Sequence, residues 1–301
     1  GEAQQALLQV LHLPDVAVAQ TGLSHLTASM RSRADDDGVR LDLANRAFVQ
    51  SGYALREPYL ESLRYGGSEP IADVDYDADA EAARRQINAW VSERTNRLIT
   101  ELLAQGTVDA ATRLTLVNTV YLLADWSQPF DAERTAPATF RLGNGDGIEV
   151  PMMRDTRTVP LSMGEDYRAA ELVYAGEALS LLLVVPDDLD RFVSGLDLAR
   201  LESIIADLRT REASLMLPKL DTRSRSTLAG TVAELGAPQI FERDAGWLTG
   251  IADDRSLHVS GIAHETVLRM DEKGTEAAAA TGITVGVTSL PPPPVEIHAD
   301  R

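Results

Sequence analysis

Between Asp271 and Pro294 the chain has few ways to fold. Asp-Glu-Lys-Gly-Thr-Glu gives way to four alanines, then to Thr-Gly-Ile-Thr-Val-Gly-Val-Thr-Ser-Leu and four prolines. No charge falls between Ala277 and Val295, yet the glycines and prolines exclude a membrane-spanning helix, which needs about 20 predominantly apolar residues. Surface loops are normally polar. This one is small and apolar with threonines at 275, 281 and 284, a composition that also fits between two neighbouring strands. Written as a strand, it sets Thr275, Ala277, Ala279 and Thr281 on one face and Glu276, Ala278, Ala280 and Gly282 on the other. The first face carries no charge and can be buried at little cost. Pro291 to Pro294 supply no ladder donors, so pairing stops before them. A flexible Ala/Gly linker is the plainer alternative, and this stretch alone leaves both open.

The chain has 301 residues, 44% hydrophobic and 25% charged, which is globular composition with room for one large domain or two ordinary ones. A net charge of −18 with no basic stripe excludes nucleic acid and anionic membranes as expected partners. There is no cysteine, hence no disulfide and no thiol chemistry. Gly1 to Gln5 run straight into a helical pattern, so no signal peptide is expected within these residues. Arginine supplies nearly all the positive charge, the lysines being Lys219 and Lys273 alone. There is no Gly-x-Ser-x-Gly, no phosphate-binding loop and no His-Glu-x-x-His, and the histidines at 12, 25, 258, 264 and 298 have no ligand spacing. No enzyme activity, metal or cofactor is therefore expected. Asp73, Asp75, Asp77 and Asp79 mimic a calcium loop, but its sixth position is Ala78 and its twelfth Arg84, so an acidic approach to a helix N-terminus explains them better.

In chain order, Leu7 to Leu11 and Leu23 to Met30 read as helices, and Leu41 to Gln50 as a strand. From Glu81 to Leu103 a single long amphipathic helix is expected, with Ile87, Trp90, Val91, Leu98, Ile99, Leu102 and Leu103 on one face and Gly106 closing it. Leu114 to Ala124 reads as a strand covered on both faces, with Asn118 its one strongly polar residue. Phe140 to Met153 forms a hairpin about Gly143, Gly145 and Gly147. Strands follow at Leu179 to Val185 and Ser214 to Leu220, helices at Asp190 to Leu208 and Leu228 to Leu235. A last alternating stretch, Leu257 to Glu272, leads into the alanine tract. Elements mix irregularly without repeat or linker, which gives one α+β domain with a large sheet. Asn118 and His264 are hydrogen-bonding side chains inside apolar strands, where an unpaired group costs about 1 to 3 kcal/mol. A satisfied core role and a latch on a movable sheet both fit them. Glu272 needs a cation, and Lys219 is the obvious candidate.

Ile87-Asn88-Ala89-Trp90-Val91 with Thr95, Thr112-Arg113-Leu114, Asn118-Thr119-Val120-Tyr121 with Trp126 and Phe130, Val150-Pro151-Met152-Met153, Leu217-Pro218-Lys219, and His264 through Glu272-Lys273-Gly274-Thr275-Glu276-Ala277-Ala278 follow one another along the whole chain. Together they resemble the serpin family of serine protease inhibitors, and the arginine and alanine usage suggests a bacterial member. The resemblance implies an α+β serpin fold, with three β-sheets, surrounding helices and a reactive loop at 274–290. It implies one domain over 1–301, without the family's first helices and last core strands. It further implies a suicide-substrate inhibitor whose loop, once cut, inserts into the main sheet and traps the acyl-enzyme. A non-inhibitory carrier, chaperone or storage protein is the alternative, and the small-residue hinge argues against it.

By the family's spacing the reactive bond is Thr288–Ser289, with Val287 and Leu290 as neighbouring candidates. The hinge is Gly274, Thr275, Glu276, Ala277, Ala278, Ala279 and Ala280. Glu272, Lys219 and Trp126 match the breach, where insertion begins, and Asn118 and His264 match the shutter beneath the parting strands. Elastase-like, chymotrypsin-like or subtilisin-like serine proteases are the expected partners, since no Lys or Arg lies between Gly274 and Asp300. No heparin site is expected, because aspartates interrupt Arg31, Arg33 and Arg40. A monomer is expected, with secretion favoured over the cytoplasm.

Overall fold

A computed structural model describes residues 2–33, 39–65, 69–275 and 293–301. The chain divides into two compact units: Gly1–Ala34, Leu41–Tyr121 and Arg223–Val267 form the first, and Asp35–Arg40, Leu122–Thr222 and Leu268–Arg301 the second. The helices are α1 (Glu2–Val10), α2 (Val16–Arg33), α3 (Glu57–Tyr65), α4 (Tyr76–Arg94), α5 (Leu189–Ser194), α6 (Leu198–Ala206) and α7 (Ala229–Glu234). The strands are β1 (Val39–Gln50), β2 (Ala72–Val74), β3 (Leu114–Asp125), β4 (Ala136–Arg141), β5 (Gly147–Met163) and β6 (Tyr167–Val173). They continue with β7 (Ser180–Pro186), β8 (Arg209–Pro218), β9 (Leu220–Thr227), β10 (Ala263–Met270), β11 (Gly274–Thr275) and β12 (Val295–His298). Among the described residues they make three sheets: β11-β3-β1-β2, the pair β10-β9, and β12-β8-β5-β6-β7 with β4 on β5. This is the α+β class expected from the sequence. The glycine-rich hairpin is present, with Arg141 opposite Gly147.

In the first unit α4 packs on the sheet through Ile87, Trp90 and Val91, which join Phe48 of β1, Val74 of β2 and Val117 of β3 in one core. Asp75 caps α4, its Oδ1 accepting from Ala78 N at 3.0 Å, and Asp79, at a break in the helix, accepts from Ala82 N at 2.8 Å. The expectation of one helix to Leu103 is wrong. Helix α4 ends at Arg94, where Asn96 and Arg97 turn to φ 47° and 63°, values no right-handed helix accommodates. Side chains replace the missing helical bonds. Thr95 Oγ1 donates to Val91 O at 2.8 Å and accepts from Ile99 N at 3.1 Å. Asn88 holds both backbone groups of Leu103 at 2.9 Å. Ile99, Leu102 and Leu103 are buried all the same. Their apolar spacing reported burial beneath an irregular strap, over residues 95–113, rather than helix.

The expectation that β3 is covered on both faces also fails among the described residues. Val117, Thr119 and Tyr121 are buried, whereas Leu116 and Val120 are 60% and 56% exposed on the opposite face. That face lines a groove with Leu23, Leu26 and Met30 of α2. In the second unit the core gathers Trp126, Phe130, Met153, Leu161, Tyr174, Leu215, Leu217 and Ile297.

Replacing Asn88 by Ala strips the Leu103 N–H of its acceptor, Asn88 Oδ1, a loss of about 1 to 3 kcal/mol. A thermal melt should show a midpoint lowered by several degrees; an unchanged midpoint would mean that the strap holds itself.

Candidate functional site

In the second unit the chain leaving β10 makes a tight turn, with Asp271 N donating to Gly274 O at 2.9 Å and Lys273 N to Asp271 Oδ1 at 2.8 Å. It then runs back as β11, antiparallel to the end of β3, with Gly274 opposite Asp125 and Thr275 opposite Ala124. Only glycine fits the first position, because a Cβ on Gly274 would stand 2.1 Å from Ala124 O. Thr275 is 7% exposed, and its hydroxyl lies 2.8 Å from that of Tyr174. Burial raises the Tyr174 pKa, an effect that this hydrogen bond partly offsets.

Trp126 organises the turn. Its ring stacks on Tyr174 with centroids 4.6 Å apart and planes 5° from parallel. Its indole N–H donates to Asp271 O at 3.1 Å, and its backbone N–H to Lys273 O at 2.7 Å. Phe130 N donates to Glu272 O at 2.7 Å. Lys219, which connects β8 to β9, places Nζ 2.8 Å from Glu272 Oε2, and Thr135 Oγ1 donates to Glu272 Oε1 at 2.8 Å. The carboxylate is mostly buried. Burial alone would raise its pKa, but hydrogen bonds from Lys219, its own backbone N–H and Thr135, together with the lysine charge, outweigh that and lower it.

Glu272, Lys219 and Trp126 therefore meet around one turn, and Gly274 and Thr275 are seated beside them. Glu276, Ala277, Ala278, Ala279, Ala280, Thr288 and Ser289 lie outside the described residues. Asn118 and His264 do not behave as the sequence suggested. Both are exposed, because they stand on the faces of β3 and β10 turned away from the α4 core. Asn118 Nδ2 donates to Asn45 Oδ1 at 2.6 Å, and His264 Nε2 lies 3.1 Å from Thr266 Oγ1. Neither is a buried polar group in need of rescue. Sequence reasoning missed Tyr174 and Thr135. Tyr174 closes an apolar run that reads only as a strand end, and Thr135 sits among unpatterned residues.

β3 and β10 belong to different sheets and are not paired with each other among the described residues, and β11 has turned back onto the edge of β3. A molecule so built is an α+β protein in which β11 adds a short antiparallel neighbour to the end of β3. The comparisons give it a family. The model for "Serpin (serine protease inhibitor)" matches residues 1–301, and the chain belongs to the serpin family. An uncharacterized serpin-like protein of Thermococcus kodakarensis is 32% identical over 288 residues, covering 95% of this chain and 66% of its own length. A leukocyte elastase inhibitor of Bos taurus is 33% identical over 303 residues, covering 97% of this chain and 79% of its own. The chain thus spans 66% and 79% of the lengths of these two relatives. The crystal structure of maspin matches in fold, with a TM-score of 0.86 at 21% identity over 100% of this chain and 80% of that one.

The depressed Glu272 pKa fixes a pH dependence. The carboxylate stabilises the turn fully above its ordinary value of 4.5, and that contribution disappears as pH falls through the depressed folded value. Hydrogen exchange at the 271–275 amides should accelerate in that acid window in the wild-type chain but not in Glu272→Gln. Identical acid profiles would contradict the assignment.

Proposed function

We propose that this chain is a suicide-substrate inhibitor of serine proteases with shallow apolar specificity pockets, elastase-like in the first place, and has no enzyme activity of its own. One observation carries the reading: the hinge has already reversed direction and placed Thr275 as a buried, antiparallel neighbour of Ala124. Continuing that register, each further loop residue pairs with one earlier residue of β3. Val285 then falls opposite Leu114, the first residue of the strand, and Thr288 opposite Ala111 just beyond it. The loop is as long as the edge it would cover. Thr275, Ala277, Ala279 and Thr281 share the inward face, and none is charged or large. The leukocyte elastase inhibitors among the relatives support the choice of target class.

Insertion competes with hydrolysis of the acyl bond at Thr288. About ten residues newly ordered in the sheet each gain about 1 kcal/mol of net hydrogen bonding and lose about 1 to 2 kcal/mol of backbone entropy. Because the entropy lost equals or exceeds that gain, the burial of the inward face and strain released elsewhere in the sheet must drive the movement. Lys219 and Glu272 guard its starting point.

Incubation with pancreatic elastase should yield a covalent complex stable in sodium dodecyl sulfate, and the released C-terminal peptide should begin at Ser289. Cleavage without loss of protease activity would contradict the reading. Thr275→Arg places an unpaired charge against Tyr174, and burying one is prohibitive. That variant should be cut as a substrate, with at least about tenfold more inhibitor consumed per protease trapped, equivalent to about 1.4 kcal/mol in the competition. An unaltered ratio would show that Thr275 need not remain buried.

A further inference from the structure

In the second unit, β5 turns Met153, Val159 and Leu161 into the core, and the alternation that brings them there sets Asp155 and Arg157 on the same face. Two charges in an apolar row need partners. The Arg157 side chain is 9% exposed, and its Nε donates to Asp155 Oδ2 at 2.8 Å. Its remaining nitrogens reach away from β5: Nη1 donates to the carbonyl of Gln128 and Nη2 to that of Pro129 at 3.1 Å, while the guanidinium carbon stands 4.3 Å from the centre of the Phe130 ring. One side chain thereby fastens residues 128 to 130 to β5. Those residues adjoin the amides of Trp126 and Phe130, which hold the carbonyls of Lys273 and Glu272 in the turn before β11.

The same point of β5 also reaches the far end of the reactive loop. Arg157 lies opposite Ala213 of β8, and Ala213 opposite Val295, the first residue of β12, so the three form one row across three strands. We infer that Arg157 is a positioning residue for the encounter with a protease: its guanidinium fixes the segment that holds the loop's first anchor, at Glu272 to Gly274, to the row of strands that holds its second, at Val295. The inference rests on the inhibitor reading above. A segment whose two ends are fixed relative to each other is bound at a lower ordering cost than one with a loose end, so the hold speeds capture. Lysine cannot replace the arginine, because a point charge on a flexible stem cannot serve two carbonyls, a carboxylate and a ring face together.

The test compares the wild-type chain with Arg157→Lys and Arg157→Met. Methionine keeps an unbranched stem against the core, and Asp155 retains Arg134, whose Nη1 lies 2.8 Å from Oδ1, so neither variant orphans a carboxylate. Two quantities are read on the uncut protein: hydrogen exchange at the amides of Trp126 and Phe130, and the second-order rate at which elastase is trapped. Both variants should exchange those amides about tenfold faster and trap elastase about tenfold more slowly. A purely structural arginine would lower the melting temperature and leave the trapping rate unmoved. That result, unaltered exchange at the two amides, or full recovery in Arg157→Lys overturns the inference while the inhibitor reading stands. A wild-type chain that traps no elastase overturns both.

Discussion

The turn between Asp271 and Gly274 is the constraint on which the candidate site depends. Four residues reverse the chain, and almost every polar group in them is held: the carbonyls of Asp271, Glu272 and Lys273 accept from Trp126 and Phe130, and the Glu272 carboxylate from Lys219 and Thr135. Buried backbone groups must find partners, so a turn satisfied this completely has one geometry. That geometry lays β11 antiparallel on the end of β3. Gly274 allows the close approach and Thr275 fastens it to Tyr174.

Cutting a loop supplies no force by itself. It releases one end of a segment whose other end already lies in register with a strand edge, so extension of the sheet proceeds from an existing pair without a costly nucleus. Thr275, the residue of β11 that is buried, is small and uncharged. What resists is the remainder of the molecule. In the first unit α4 and the strap share one core with β3 and β10, and a buried carboxylate with two arginines ties the strap to β9 and β10. Inhibition by this route is a race between a seated strand and a water molecule, so every contact that slows opening of the sheet counts against trapping and in favour of a durable resting state.

Much of this was legible in the residues. Alternation marked β1 and β10, a nearly continuous apolar run marked β3, and the alanine tract announced a segment suited to both solvent and sheet interior. A chain with two lysines left few candidates to pair with Glu272. Periodicity misled where side chains replaced helical bonding: Leu98 to Leu103 have helical spacing, but Thr95 and Asn88 hold an irregular path there. Asn118 and His264 looked buried because their neighbours are apolar. Yet Leu116 and Val120 on the same face of β3 as Asn118 are themselves exposed, so local composition was a poor guide to burial. The stacking of Tyr174 on Trp126 and the pairing of Glu265 with two arginines depend on contacts between distant segments, which no window of sequence displays.

The most direct measurement of whether the tract beyond Thr275 becomes an interior strand is the unfolding temperature of the chain before and after a single cut near Thr288. If the freed segment enters the main sheet, the cut protein gains a full strand of hydrogen bonds and buried surface and should melt well above the intact one. A cut protein that melts at the same temperature or lower would contradict the account.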